Sequence, residues 1–198
     1  MKTQHMFIGL MLIGILSAFT VNHYSNKTSE GLKDAIGNWE FIADQSMVGF
    51  KIKNMWMMSV DGKIEGLKGN ANIKDVLAKS SVQMTLNVKT IDTDSKKRDK
   101  HLKTDDYFAS EEYPLIIYKA TGIVKISGEY SYKLKGRLTI KDVTKELDVP
   151  FHFIGVANEI ATFKGMAVVN RKDFHIDYGG MGMGDEATVT FTVKARKQ

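Results

Sequence analysis

The chain has no cysteine and only two prolines among its 198 residues. Without cysteine there are no disulfides, no thiolate nucleophile and no zinc–thiolate site. A lipid-anchoring cysteine is excluded as well. Missing too are the Gly-x-Ser-x-Gly elbow, the His-Glu-x-x-His zinc motif, the glycine-rich phosphate loop and the dinucleotide fingerprint. No dense Lys/Arg stripe with interleaved aromatics appears. The net charge of +5 is spread among residues of both signs, as on an ordinary solvated surface, so nucleic acid is not an expected partner.

One long apolar run is present, at the N-terminus. Lys2 precedes a nearly unbroken hydrophobic stretch from Met6 to Val21, and polar residues follow at once. Sixteen helical residues at ~1.5 Å each reach ~24 Å, short of a ~30 Å hydrocarbon core. The run therefore reads as a hydrophobic leader helix, a signal peptide in the first instance. Its cleavage site is poor, with Ala18 and Thr20 as the small pair, so an uncleaved anchor in the inner membrane is the alternative. Residues 1–36 are assigned to leader plus polar linker, and 37–198 to one folded domain.

Within that domain apolar residues recur at every second position. Val82, Met84, Leu86 and Val88 alternate with Gln83, Thr85 and Asn87. Tyr130, Tyr132, Leu134, Leu138 and Ile140 share one face, and so do Val189, Phe191, Val193 and Ala195. Val48, Phe50 and Ile52 repeat the pattern. Successive strand side chains point to opposite faces, so each segment has one dry and one wet face. Segments 39–43, 62–74, 115–126, 145–156 and 160–170 are further strands. Turns are expected at Asp61-Gly62, Ser127-Gly128, Asn158-Glu159 and Gly179–Gly184. The fold class is all-β: an antiparallel barrel of about eight strands, closed to hide its apolar face. One stretch, 95–102, is too charged for a strand and predicts a short helix capped by Asp92 or Asp94, inside a long loop that carries Tyr107 and Phe108.

Four runs resemble the YceI-like polyisoprenoid-binding family. The densest joins Ile91-Asp92-Thr93, Lys97-Arg98-Asp99-Lys100-His101-Leu102, Asp105-Asp106-Tyr107-Phe108 and Glu112-Tyr113-Pro114. The others are Gly136–Lys145, Asn170–Ile176 with Gly184–Val189, and Ser46–Phe50. They lie in the family's order across about 38–198. Gln45 and Asn54 stand where the family often has histidine, and Asp142 stands where it has glycine in a turn.

The resemblance implies a lipocalin-like barrel that carries an isoprenoid chain in the periplasm or outside the cell. The ligand would be a long-chain lipid, a polyprenyl phosphate or a prenylated quinone. Phe50, Ile52, Met84, Leu86, Tyr132, Leu134, Phe151, Phe153, Phe163 and Phe191 are the candidate interior contacts. Arg98, His101, Tyr107 and Phe108 are candidates for the head group or gate. Two ordinary readings stand beside these: Arg98 in a surface ion pair with Asp99, and His101 bonded to a nearby carboxylate. Eight methionines in the domain fit an adaptable apolar site as well as a plain core. No cofactor, metal or catalytic residue is expected. Asp173, His175 and Asp177 alternate along a polar stretch and read as solvated. An enzyme acting on a prenyl lipid and a filled barrel serving as an interaction module are the competing functions. A homodimer is left open.

Overall fold

A computed structural model describes residues 31–54, 58–179 and 182–198. The leader, Met55–Met57 and Met181 lie outside the described residues. The order is β1 (Gly37–Phe41), β2 (Met47–Asn54), β3 (Met58–Lys63), β4 (Lys68–Ile73), β5 (Ser81–Asn87), α1 (Lys96–Leu102), β6 (Leu115–Lys125), β7 (Tyr132–Ile140), β8 (Val143–Ala157), β9 (Ile160–Asn170) and β10 (Met183–Lys197). All pair antiparallel in one sheet, ordered β1-β4-β5-β6-β7-β8-β9-β10-β2-β3.

Closure comes from β10, which pairs with two strands in succession. Its first part, Met183–Thr192, lies against β2, and its end, Ala195–Lys197, lies against β1. β1 and β2 are thus one barrel strand broken by a turn at Ala43–Gln45. β3 and β4 are a second, broken at 64–67. Counted this way the barrel has eight strands. No sheet edge runs the full length of the molecule, which protects the chain from edge-to-edge pairing.

Two sequence expectations are corrected here. Segment 62–74 is not one strand, and Asp61-Gly62 is not a turn. Both residues sit inside β3, opposite Lys51 and Phe50. The break falls instead at Gly66, whose φ of 72° favours glycine. Thr90 fixes it: its hydroxyl accepts the Glu65 N–H (2.8 Å) and donates to the Glu65 carbonyl (2.9 Å). The expected Gly179–Gly184 turn lies partly outside the described residues, whereas the Asn158-Glu159 turn behaves as the residues dictate. Asn158 and Glu159 both take positive φ, the two-residue hairpin geometry that matches strand twist. In the β7–β8 hairpin Lys141 takes the positive φ and Asp142 does not, so an aspartate there needs no left-handed backbone.

The two ends of the barrel differ. One is solid. A 3-10 turn, Gly31–Ala35, tucks Leu32 and Ala35 under the strands beside Trp39, and all three are buried. Trp39 Nε1 donates to the Ala35 carbonyl (2.7 Å), and the Leu32 N–H donates to the Tyr132 hydroxyl (3.1 Å). Residues 31–35, read from sequence as linker, therefore pack as part of the barrel. At the other end lie α1, the loop that follows it and the β9–β10 connection. Among the described residues no helix is long and apolar enough to cross a membrane.

Candidate functional site

Between the plugged end and the opposite rim the barrel is hollow. The cavity measures about 890 Å³, near the top of the ~300–1,000 Å³ common for small-molecule pockets. Its walls are almost wholly apolar. The strand period explains this, because every second residue of eight strands faces inward. Barrel curvature sharpens it. Phe50 lies across Gly62 on β3, and Phe191 lies across Gly165 on β9, so closely that a Cβ at either glycine would overlap the ring. Glycine lets the ring approach the neighbouring strand closely rather than stand off into the middle.

Eight of the ten interior candidates line this space: Phe50 and Ile52 from β2, Met84 and Leu86 from β5, Leu134, Phe151, Phe163 and Phe191. Tyr132 and Phe153 do not. They face inward as their period requires, but at the plugged end, below the floor made by Phe151 and Phe163. Period two fixes the face of a residue and says nothing of its height along the barrel. Tyr132 is further committed by its bond to Leu32.

The rim brings together Arg98 and His101 from α1, Tyr107 and Phe108 from the next loop, and Arg171, Asp177 and Tyr178 from the β9–β10 connection. His101, Tyr107 and Tyr178 form an edge-to-face cluster with ring centroids 5.1, 4.9 and 5.3 Å apart, an arrangement favoured by the ring quadrupoles. His101 Nε2 also lies 2.9 Å from Asp106 Oδ2, the carboxylate contact expected as its ordinary role. Burial pushes the Tyr107 phenol above its ordinary value; nearby Tyr178 adds to the shift and the Arg171 cation opposes it. Tyr107 is therefore a protonated donor at neutral pH.

The helix is held differently from expectation. Its N-cap is Ser95, not Asp92 or Asp94, and Asp92 instead accepts the Asp94 N–H. Nor does Arg98 pair with Asp99. Arg98 donates from Nε to the Thr93 hydroxyl (2.7 Å) and from Nη2 to the Thr93 carbonyl (2.6 Å), while Asp99 accepts the Thr93 N–H (2.9 Å). Thr93 is buried, so it staples α1 to the barrel from both sides.

Sequence reasoning missed two rim residues, Tyr178 and Arg171. Arg171, buried at the top of β9, donates to the carbonyls of Gly184 (2.9 Å), Ile176 and Tyr178 (3.1 Å), and to Asp185 (3.2 Å). It thereby shapes the loop that presents Asp177 and Tyr178. Its signal lay in the Asn170–Ile176 motif, read there only as resemblance. His175 sits in left-handed backbone and is exposed, and among the described residues no cluster suited to a metal occurs.

Deeper in the wall, the Tyr118 hydroxyl donates to the Leu147 carbonyl (3.0 Å), and burial holds its phenol far above the usual range.

Residues 39–195 match the YceI-like domain family. A UPF0312 protein of Photorhabdus laumondii is 28% identical over 136 residues, covering 66% of this chain and 70% of that one. A UPF0312 protein of Vibrio cholerae is 24% identical, covering 86% and 89%. Among solved structures, Burkholderia cenocepacia BcnA superposes with a TM-score of 0.67 at 22% identity, over 78% of this chain and 98% of that one. A polyisoprenoid-binding domain from Saccharophagus degradans, implicated in plant cell wall breakdown, gives 0.67 at 11% identity, over 81% and 98%. The structural likenesses carry the fold, and the family match spans nearly the whole barrel: this chain belongs to the YceI-like domain family.

Proposed function

We propose that this protein binds a long-chain isoprenoid-type lipid, a polyprenyl phosphate or a prenylated quinone, inside its barrel, and carries or stores it outside the cytoplasm. The observation that carries this reading is the cavity: about 890 Å³, apolar throughout its depth, with polar groups gathered at the rim. The relative described as polyisoprenoid-binding supports the same ligand class.

The mechanism is partition rather than reaction. Each buried methylene contributes ~0.8 kcal/mol, so one isoprene unit contributes roughly 3–4 kcal/mol gross. Association itself costs ~4–15 kcal/mol. A tail of two units is then held weakly, and a tail of several units is held firmly without any polar contact. Selectivity for tail length follows from this arithmetic.

Native mass spectrometry of the protein taken from the envelope of its host tests the binding. A mass above that of the chain, released by organic solvent as a prenyl lipid, is the expected result. A bare mass after gentle extraction contradicts it and favours an interaction module. Cell fractionation tests the location. Recovery in the periplasm, the medium or the inner membrane is expected; recovery with cytoplasmic proteins overturns an extracytoplasmic role.

A further inference from the structure

The outer wall of the barrel is uneven in charge, and the unevenness lies apart from the cavity. Strands β4, β5, β6 and β7 are neighbours in the sheet, and none of their residues is Asp or Glu, although the chain has 23 of these. The same strands carry Lys68, Lys119, Lys125, Lys133, Lys135 and Arg137. Carboxylates return at the borders, as Glu40 on β1 and as Glu146 and Asp148 on β8.

Register turns this composition into a row. Asn70 lies opposite Gln83, Gln83 opposite Lys119, and Lys119 opposite Arg137. All four are exposed, and none lines the cavity. Facing residues of adjacent strands share a face, so two amides and two cations run across the wall, one per strand at ~4.8 Å. The next row, Lys68, Thr85, Ile117 and Thr139, adds a cation and two hydroxyls. Like charges directly opposite one another destabilise a sheet. Arg137 is offset by Glu146, to which its Nε and Nη2 donate (3.2 and 3.0 Å). Lys119 has no such relief. Among the described residues it forms no ion pair, and the side chains of Asn70 and Gln83 make no hydrogen bond.

A partner for this wall must bring negative charge together with many hydroxyl groups. A bilayer fits poorly, because only Leu115 on these strands exposes a large apolar side chain. Nucleic acid fits poorly too, because both aromatics of these strands, Tyr118 and Tyr132, are buried and offer bases no stacking platform. We propose that the outer face of β4 to β7 docks an acidic polysaccharide, laid across the strands with its carboxylates on Lys119 and Arg137 and its hydroxyls on Asn70 and Gln83. The strand spacing is about the length of one sugar unit, so successive units meet successive strands. The mouth stays open while the side wall is engaged.

The test is calorimetric titration of the full chain with polygalacturonate and with uncharged dextran. Polygalacturonate is expected to bind, more weakly as salt rises, and dextran is expected not to bind. Lys119→Ala is expected to weaken polygalacturonate about fivefold, and the pair Asn70→Ala and Gln83→Ala about threefold. Lys164→Ala, on the outer face of β9, should change it by less than about twofold. The altered positions are exposed, so thermal unfolding should stay near that of the parent and a loss of binding is not a loss of fold. Absence of polygalacturonate binding, or equal binding by Lys119→Ala, overturns the proposal. An effect of Lys119→Ala with none from the amide pair overturns it as well, since the wall would then be a general polyanion surface. Phosphatidylglycerol vesicles that bind through Lys119 while polygalacturonate does not would assign the wall to a membrane and also overturn it. None of these outcomes bears on lipid binding in the cavity.

Discussion

The tip of the Phe191 ring on β10 lies over Gly165 on β9, its direct partner in the sheet. The carbonyl of Pro150 on β8 closes on the same glycine from the other side. Three strands therefore meet at a position where no side chain fits. Gly165→Val must either lift Phe191 into the cavity or part the strands. Overpacking of this kind costs ~1–3 kcal/mol. Urea unfolding is expected to show that loss, together with weaker lipid binding. Unchanged stability and unchanged binding together would mean that the ring has room to spare.

Ala167 on β9 lines the cavity. Ala167→Trp places a large ring in empty space rather than in packed core. Lipid binding is expected to fall by at least about tenfold, which corresponds to ~1.4 kcal/mol. Thermal unfolding should stay near that of the parent or rise. A variant that still copurifies with its lipid would place the tail elsewhere.

The plugged end can be perturbed without touching the site. Tyr132→Phe removes the acceptor of the buried Leu32 N–H, and an unsatisfied buried donor costs ~1–3 kcal/mol. Leu32→Ala opens a void beside Trp39, at ~2–5 kcal/mol. Both are expected to lower stability in chemical denaturation and to leave lipid affinity within about twofold under native conditions. A loss of affinity as large as that of Ala167→Trp would place the plugged end in contact with the ligand.

Two pH effects follow from named groups. Hydrogen bonding to Lys135, assisted by Lys133, holds the Asp148 carboxyl below its ordinary value of 3.8. A depressed folded value gives stability that is present above the unfolded value and lost as pH falls through the folded one. Asp148→Asn is therefore expected to be less stable than the parent at neutral pH, with the difference vanishing in acid. The pair is largely solvated, so the effect is small. Tyr118 has the opposite sign. Its raised phenol gives stability that is complete below the unfolded value of about 10 and is lost as pH rises beyond it. Tyr118→Phe should flatten the alkaline limb of a stability–pH profile. An alkaline limb identical to the parent's would rule Tyr118 out as its source.

Much of this was legible in the residues. Val82–Val88, Tyr132–Ile140 and Val189–Ala195 declare their buried faces because period two in a half-buried strand is dictated by geometry alone. α1 declared itself by charge. What stayed hidden was how the strands stack in height. Tyr132 and Phe153 share a face with Leu134 and Phe151 yet fall below the floor. Leu32 and Ala35 gave no pattern, since five residues of 3-10 turn carry no period and their partners lie up to a hundred residues away. The role of Arg171 depends on carbonyls whose positions only the folded loop defines. The break at Gly66 was masked by the apolar residues Ile64 and Leu67 on either side, which are buried in the connection.

The most direct measurement is the dissociation constant across a series of lipids that share one head group and differ by single isoprene units. Affinity is expected to rise by at least about tenfold per unit, the floor set by ~0.8 kcal/mol per methylene after losses, and to level off once the tail fills the cavity. Affinity independent of tail length would contradict a hollow barrel that holds its ligand by burying the chain.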